Sequence, residues 1–275
     1  MKAEIFALDG FFTRVNPDDI ESVNSNHTSI FKNFRLAVGS WADLEAKLAK
    51  TKNHMTPARD IKVVYLIRHA QGAHNVAEVE YGDAWWTAPI ARSDVYLDTN
   101  LTELGINDAR SKGPPGLAAE CDKGMPRIER VIVSTLSRTI QTAHHFFEGY
   151  PMVSPRFVSM ELCREKLGIH TFNKRVSRTK LQEKFSKDKV DFSRIRDEED
   201  TLWSPTHMET ESEIQERAQE FLRELFASFP EETHVAVVTH YKVIWAIFKV
   251  MYPHFEKDVA ATNCEVIPIV LERVQ

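Results

Sequence analysis

The chain has 275 residues, with 40 acidic against 35 basic side chains, a formal net charge of −5, and apolar and charged fractions of 43% and 27%. That balance excludes the basic footprint of a nucleic-acid binder, and the length suits one or two globular domains with a core that needs no staple. Cys121, Cys163 and Cys264 are odd in number and far apart, with no CxxC, so a disulfide framework and a zinc knuckle are excluded too.

In chain order, the apolar start Met1 to Asp9 is broken by Glu4 and Asp9 and has no continuous secretory run, which predicts an unsecreted, soluble, cytoplasmic protein. The N-x-Thr triplets at Asn26 and Asn100 are then silent as glycosylation acceptors. Residues 1–60 scatter apolar patches (Ile5, Phe11, Phe31, Phe34, Trp41) without a period and read as an extension packed on a main domain of residues 61–275. Ile61 to Ile67 is a β-branched run with little alternation, as expected of a strand covered on both faces, and it ends in Arg68-His69. A helix opens after Thr102 and is expected to stop near Lys112, at Gly113-Pro114-Pro115.

Val131 to Val133 is a second buried strand, followed by Ser134 to Arg138 and a helix over Thr139 to Phe147. Asn173 to Asp200 is highly charged and poor in strand signal, which predicts a lid insertion over about residues 170–205. From Ser212, the helical spacing of Ile214, Ala218, Phe221, Leu222 and Leu225 gives a helix that Pro230 ends, before a strand Val235 to Val238 closing in Thr239-His240. The apolar run Val243 to Val250 contains Lys249 and is far shorter than the ~20 residues that span a bilayer, so no membrane partner is expected. Strands alternating with helices predict an α/β fold, a three-layer sandwich whose mostly parallel central sheet is flanked by helices.

Three strands thus end in cationic or titratable residues: Arg68-His69, Arg138 and His240. The carboxyl ends of strands in an open α/β sheet form its ligand crevice. Two guanidiniums, two imidazoles and the helix N-termini that follow such strands suit a phosphate. The bland readings are a surface Arg-His pair, a salt-bridged helix arginine and a satisfied core histidine; the coincidence at three strand ends weighs against them. His74, His144 and His145 lack an HExxH or carboxylate-flanked spacing and read as packed or solvated rings, not metal ligands. Arg68-His69-Ala70-Gln71-Gly72 is not the GxGxxG of a dinucleotide site. Trp85 and Trp86 read as buried packing, and Lys174, Arg175, Arg178 and Lys180 as a solvated face, with a substrate-facing role as the alternative.

Arg68-His69-Ala70 with Asn75 resembles the RHG signature of the histidine phosphatase superfamily, which includes phosphoglycerate mutases. Asp98-x-x-Leu101-Thr102-x-x-Gly105, Ser134-x-Leu136-x-Arg138-Thr-x-Gln141-Thr142-Ala143 and Val238-Thr239-His240 resemble its later blocks, in the same order, over about Ile61 to Tyr241. Cys163-Arg164-Glu165 is similar to a block of the small phosphoglycerate-mutase-like proteins of fungi and plants. The resemblance implies a phosphoglycerate-mutase-like fold and a metal-independent, cofactor-free phosphatase acting on a small phosphorylated metabolite.

In that implied mechanism His69 is the nucleophile that becomes phosphohistidine, and His240 donates to the phosphoryl group. Arg68 and Arg138 neutralise it, and Asn75 adds a neutral donor or orients His69, with a helix cap as its other reading. Glu165 is the acid that protonates the leaving oxygen and then activates water, with Glu161 as the alternative. The usual glycine of the signature is Ala70 here, and the usual glycine after the second histidine is Tyr241, a change expected to narrow or reshape the pocket. Mutase-type transfer is the enzymatic alternative, disfavoured because the aromatic-glycine pair and Arg-Arg block of glycolytic mutases are not evident after Glu165. A catalytically weak scaffold is a further alternative, disfavoured because His69, Arg138 and His240 are all present. No motif names the substrate or an oligomeric state.

Overall fold

In the computed structural model, which describes residues 4–15, 29–53, 60–152, 154, 156–254 and 261–274, the run ending in Arg68 is a nine-residue strand with seven consecutive buried positions. Asn26 lies outside the described residues. In chain order the elements are β1 (Glu4–Ala7), β2 (Phe12–Arg14), β3 (Phe34–Leu36), α1 (Trp41–Asn53), β4 (Asp60–Arg68) and α2 (Ala73–Tyr81). Short 3-10 turns between Gly82 and Tyr96 lead to α3 (Glu103–Asp122), β5 (Arg130–Ser134), α4 (Ser137–Phe146) and β6 (Phe157–Met160). After a 3-10 turn at Thr171–Asn173 come α5 (Arg178–Lys184), β7 (Val190–Asp191), α6 (Glu211–Ser228), β8 (His234–Thr239), α7 (Tyr241–Met251) and β9 (Val266–Val274).

The main sheet runs β1-β9-β4-β8-β5-β6-β7. Strands β4, β8, β5, β6 and β7 are parallel, and β9 is antiparallel between β1 and β4. Helices flank this sheet, with α3 packed on α4 and α6 on α7. The α/β fold read from the sequence is therefore present, with an antiparallel margin that the early part of the chain shares. β1 pairs with β9, and Phe11, Phe31, Phe34, Trp41, Leu44 and Leu48 join the same core as Val63 to Ile67. A buried polar link ties α1 to the sheet: His234 lies 2.9 Å from the Tyr65 hydroxyl and, through its other ring nitrogen, 2.9 Å from Glu45.

Register places the site. Arg68 of β4 pairs with Thr239 of β8, Val133 of β5 pairs with Val238, and Ser134 pairs with Met160 of β6. Four of the parallel strands, β4, β8, β5 and β6, therefore finish in one transverse row, and the residues just beyond it share one edge.

Two expectations change. Helix α3 does not stop at Lys112 but runs through Pro114 and Pro115 to Asp122. The prolines remove donors to the carbonyls of Arg110 and Ser111, which are exposed residues that water can serve. Gly113 and Gly116 are the close-contact points that keep the helix going: a Cβ at 113 would lie 2.2 Å from the Phe146 carbonyl oxygen, and one at 116 would lie 2.6 Å from Ile30. The charged segment 170–205 also does more than cover an edge. It supplies strand β7, and its Leu181, Phe185, Phe192 and Ile195 enter the main hydrophobic core.

Candidate active site

His69 follows β4 and is buried. Its Nδ1 lies 2.7 Å from the Ala70 carbonyl oxygen, which can only accept, so Nδ1 carries the proton and Nε2 keeps its lone pair. Nε2 has no hydrogen-bond partner among the described residues. Burial, then the Arg138 and Arg68 guanidiniums, hold the imidazole well below its ordinary value, so the ring is neutral. Its backbone is fastened on both sides: the amide donates to the Thr239 carbonyl at 2.9 Å, and the carbonyl accepts from Asn263 Nδ2 at 2.7 Å.

The His240 ring sits 5.0 Å from that of His69, centroid to centroid. Its Nε2 is 2.8 Å from Ser134 Oγ, which also accepts from the Leu136 amide at 3.3 Å. Nδ1 of His240 is buried without a partner among the described residues, and it carries the ring proton when the serine hydroxyl donates to Nε2. Burial, then Arg138 and His69, push this ring well below its ordinary value as well.

Arg138 is fully buried on the first turn of α4. One terminal nitrogen donates to the Phe172 carbonyl at 2.6 Å and the other to Asn173 Oδ1 at 3.0 Å, while Nε has no partner. Burial lowers the guanidinium to about 10, against the opposing pull of the Glu165 and Asp98 carboxylates. Arg68 donates to the Ala261 carbonyl at 2.8 Å and likewise leaves a buried Nε unpartnered. Asn75 Oδ1 accepts from the Gly72 amide at 3.0 Å, so the cap reading of this residue has a bond behind it, and its Nδ2 amide has no partner among the described residues. Helices α2, α4 and α7 all start at this edge and add the positive ends of their dipoles.

The two carboxylates separate cleanly. Glu161 accepts from Arg175 Nε at 2.6 Å and lies 3.6 Å from Arg164, in an ion-pair network. Glu165 makes no ion pair among the described residues; one oxygen accepts from the next amide at 2.7 Å, and its charge is felt at Arg138. Arg217 on α6 holds the loop behind it through the carbonyls of Leu162 and Arg164, both at 2.8 Å. Arg175 itself is neither solvated nor facing a ligand. It is 1% exposed, and its terminal nitrogens bond the carbonyls of Val176, Asp197, Glu198 and Glu199. Trp85 is buried, as expected, whereas Trp86 is exposed.

Several residues here escaped sequence reasoning because their partners are remote in sequence. Ser134 fixes His240, and Asn173 fixes Arg138 while Arg164, paired with Asp200 at 2.7 Å, holds the Asn173 carbonyl. His74 stands beside His69 with ring centroids 5.5 Å apart. The signal for Ser134 was its place at a strand end; for Asn173 there was none.

The sequence profile of the histidine phosphatase superfamily (branch 1) matches residues 64–273. The chain belongs to the histidine phosphatase superfamily. It is 32% identical over 246 residues to phosphoglycerate mutase-like protein 1 of Arabidopsis thaliana, covering 78% of this chain and 83% of that one. It is 29% identical over 219 residues to a probable phosphoglycerate mutase of Arthroderma benhamiae, covering 77% and 64%. Among solved structures, a phosphoglycerate mutase from Bacillus anthracis superposes with a TM-score of 0.49 at 16% identity, over 77% of this chain and 88% of that one.

The superfamily blocks acquire physical meaning in this member. Asp98, at φ 45°, accepts from the amide and hydroxyl of Ser137 at 2.7 and 2.6 Å and so caps the helix that carries Arg138. Gly105 must lack a side chain, since a Cβ there would lie 2.2 Å from the Gln71 carbonyl oxygen in the loop after His69. Thr142 accepts from the Ala70 amide at 2.9 Å. Of the two departures from the signature, Ala70 is fully buried without disturbing that loop, and Tyr241 lays its ring 5.5 Å from the Arg68 guanidinium carbon.

Proposed function

We propose that this member of the superfamily is a phosphomonoesterase that works through phosphohistidine at His69, on a small soluble phosphorylated metabolite and without a divalent ion. One observation carries this. Three buried nitrogens, Arg68 Nε, Arg138 Nε and His240 Nδ1, have no partner among the described residues, on side chains close to a histidine whose Nδ1 proton is tied up and whose Nε2 is bare. Buried unpartnered donors are costly in a folded protein, and a phosphoryl group supplies acceptors for all three.

In the first half-reaction His69 Nε2 bonds to phosphorus as the ester P–O bond breaks, and Glu165 gives its proton to the departing oxygen. In the second, water attacks phosphorus, the P–N bond breaks, and Glu165 takes the water proton. Arg68, Arg138, His240 and the Asn75 amide hold the phosphoryl oxygens, supplying the charge that a metal supplies elsewhere. The mutase-like names of the relatives favour a second reading, in which the phosphoryl group returns to the substrate.

The test is phosphate release from a panel of sugar, nucleotide, amino-acid and glycerate phosphates in excess chelator, with wild type and His69→Ala. Inorganic phosphate from wild type alone, with an acid-labile, base-stable phosphoprotein trapped only when His69 is present, is the expected result. Isomerised phosphoglycerate without phosphate release would decide for the mutase. Equal labelling of His69→Ala would remove the nucleophile assignment.

A further inference from the structure

By sequence alone His74 reads as a packed or solvated ring. In the fold it is 6% exposed and its ring stands next to that of His69, at 5.5 Å, as that of His240 does at 5.0 Å. Three contacts hold it. Phe172 stacks on the ring at 5.1 Å and 15°, Thr99 Oγ1 lies 3.0 Å from Nδ1, and Gly72 clears its space, because a Cβ there would come within 2.9 Å of Cε1 and Nδ1. Nε2 has no hydrogen-bond partner among the described residues. A ring held on three sides, with one nitrogen left over close to the Arg138 and Arg68 guanidiniums, is placed to meet an anionic ligand there.

We propose that His74 is a further substrate-binding residue that contacts, through Nε2, a non-bridging oxygen of the phosphoryl group transferred to His69. The inference rests on the phosphomonoesterase reading above. In-line displacement puts the leaving oxygen on the far side of phosphorus from the nucleophile, so groups flanking His69 face the three equatorial oxygens. We take the Thr99 hydroxyl as the donor to Nδ1, which leaves the ring proton on Nε2 to be donated to one of those oxygens. The Phe172 stack fixes the direction of that donor before substrate arrives, which lowers the ordering cost of binding. Burial, then Arg138 and His69, keep the ring neutral in the free protein, consistent with a neutral donor.

The experiment is calorimetric titration with inorganic phosphate, beside the KM for an aryl phosphate and a thermal melt. His74→Phe keeps a ring against Phe172 and removes both nitrogens. His74→Gln restores an amide donor near the place of Nε2. The expected result is phosphate affinity at least about 10-fold weaker in His74→Phe, the low end for a hydrogen bond to a charged group, with partial recovery in His74→Gln. Should His74→Phe not fold, His74→Leu against His74→Gln gives the same comparison. Phosphate bound as tightly by His74→Phe as by wild type overturns the inference and leaves the phosphatase reading standing. Wild type that neither binds phosphate nor releases it from any ester overturns both.

Discussion

At the scale of single residues, the choice between Glu165 and Glu161 turns on what else each carboxylate touches. Glu161 is committed to Arg175 at 2.6 Å, a pairing that would have to break before it served a substrate. Glu165 is half-buried, without an ion pair among the described residues and near enough to Arg138 to act on its guanidinium. Glu165→Gln is therefore expected to lower kcat at least about 10²-fold, the lower end for a positioned general acid, and most for esters with poor leaving groups. Glu161→Gln removes one partner of a buried arginine, so its cost is expected in stability instead, about 3 kcal/mol or more. Steady-state kinetics with two leaving groups, beside denaturant unfolding of both variants, separates the cases. A larger kcat loss in Glu161→Gln would exchange their roles.

At the scale of elements, the site is a set of strand ends held in register by loops from elsewhere. Gly105 lies against the backbone of Gln71, Thr102 accepts from the Gly105 amide at 3.0 Å, and the Thr102 hydroxyl donates to Gln71 Oε1 at 2.7 Å. The start of α3 thus clamps the loop that follows His69. Because the obstructing atom is a backbone oxygen, a methyl at position 105 must move that loop. Gly105→Ala is expected to lower kcat/KM by roughly 10²-fold, as displacements near 1 Å do in positioned sites. Phosphate release assays check it, and wild-type kcat/KM in this variant would mean that the clamp does not position His69. Asp98, which caps α4 from the same connection, links this clamp to Arg138.

For the whole molecule, gathering His69, His74 and His240 in one buried cluster sets how stability responds to pH. Burial, aided by Arg138, holds all three well below 6.5 in the folded state. In the unfolded chain each titrates near 6.5, so below that pH the unfolded state takes up protons that the folded state refuses. This contribution is fully present above 6.5 and is lost as the pH falls. Unfolding free energy is expected to drop from about pH 6.5 downward by up to about 1.4 kcal/mol per pH unit for each histidine. Denaturant unfolding at pH 7.5, 6.5 and 5.5 checks this, and His240→Gln should reduce the slope. Equal stability at all three values would show that the folded pocket accepts the protons. Among the described residues no helix is long and apolar enough to cross a membrane.

How far the sequence carried the reading depends on the range of each interaction. The strands before Arg68-His69, Ser134 and His240, and the helix over Glu211–Ser228, were legible because burial pattern and termination are properties of neighbouring residues. Strand β9 was missed because Pro268 breaks its apolar run and two charged residues follow it, and its place between β1 and β4 is set by pairing with residues far earlier in the chain, Glu4 with Val274 and Asp60 with Arg273. The stop foreseen at Gly113-Pro114-Pro115 failed because close packing on Phe146 outweighed local propensity. Arg175 looked solvated because charge alone is visible in a sequence, whereas the carbonyls that satisfy its guanidinium meet only after residues 161 and 197–199 fold around it. The sequence by itself determined which groups end the strands, and so the chemistry on offer. The tertiary structure alone decided which carboxylate is engaged by an arginine, which serine meets His240, and that His74 stands beside His69, since each depends on a direction in space that only packing fixes.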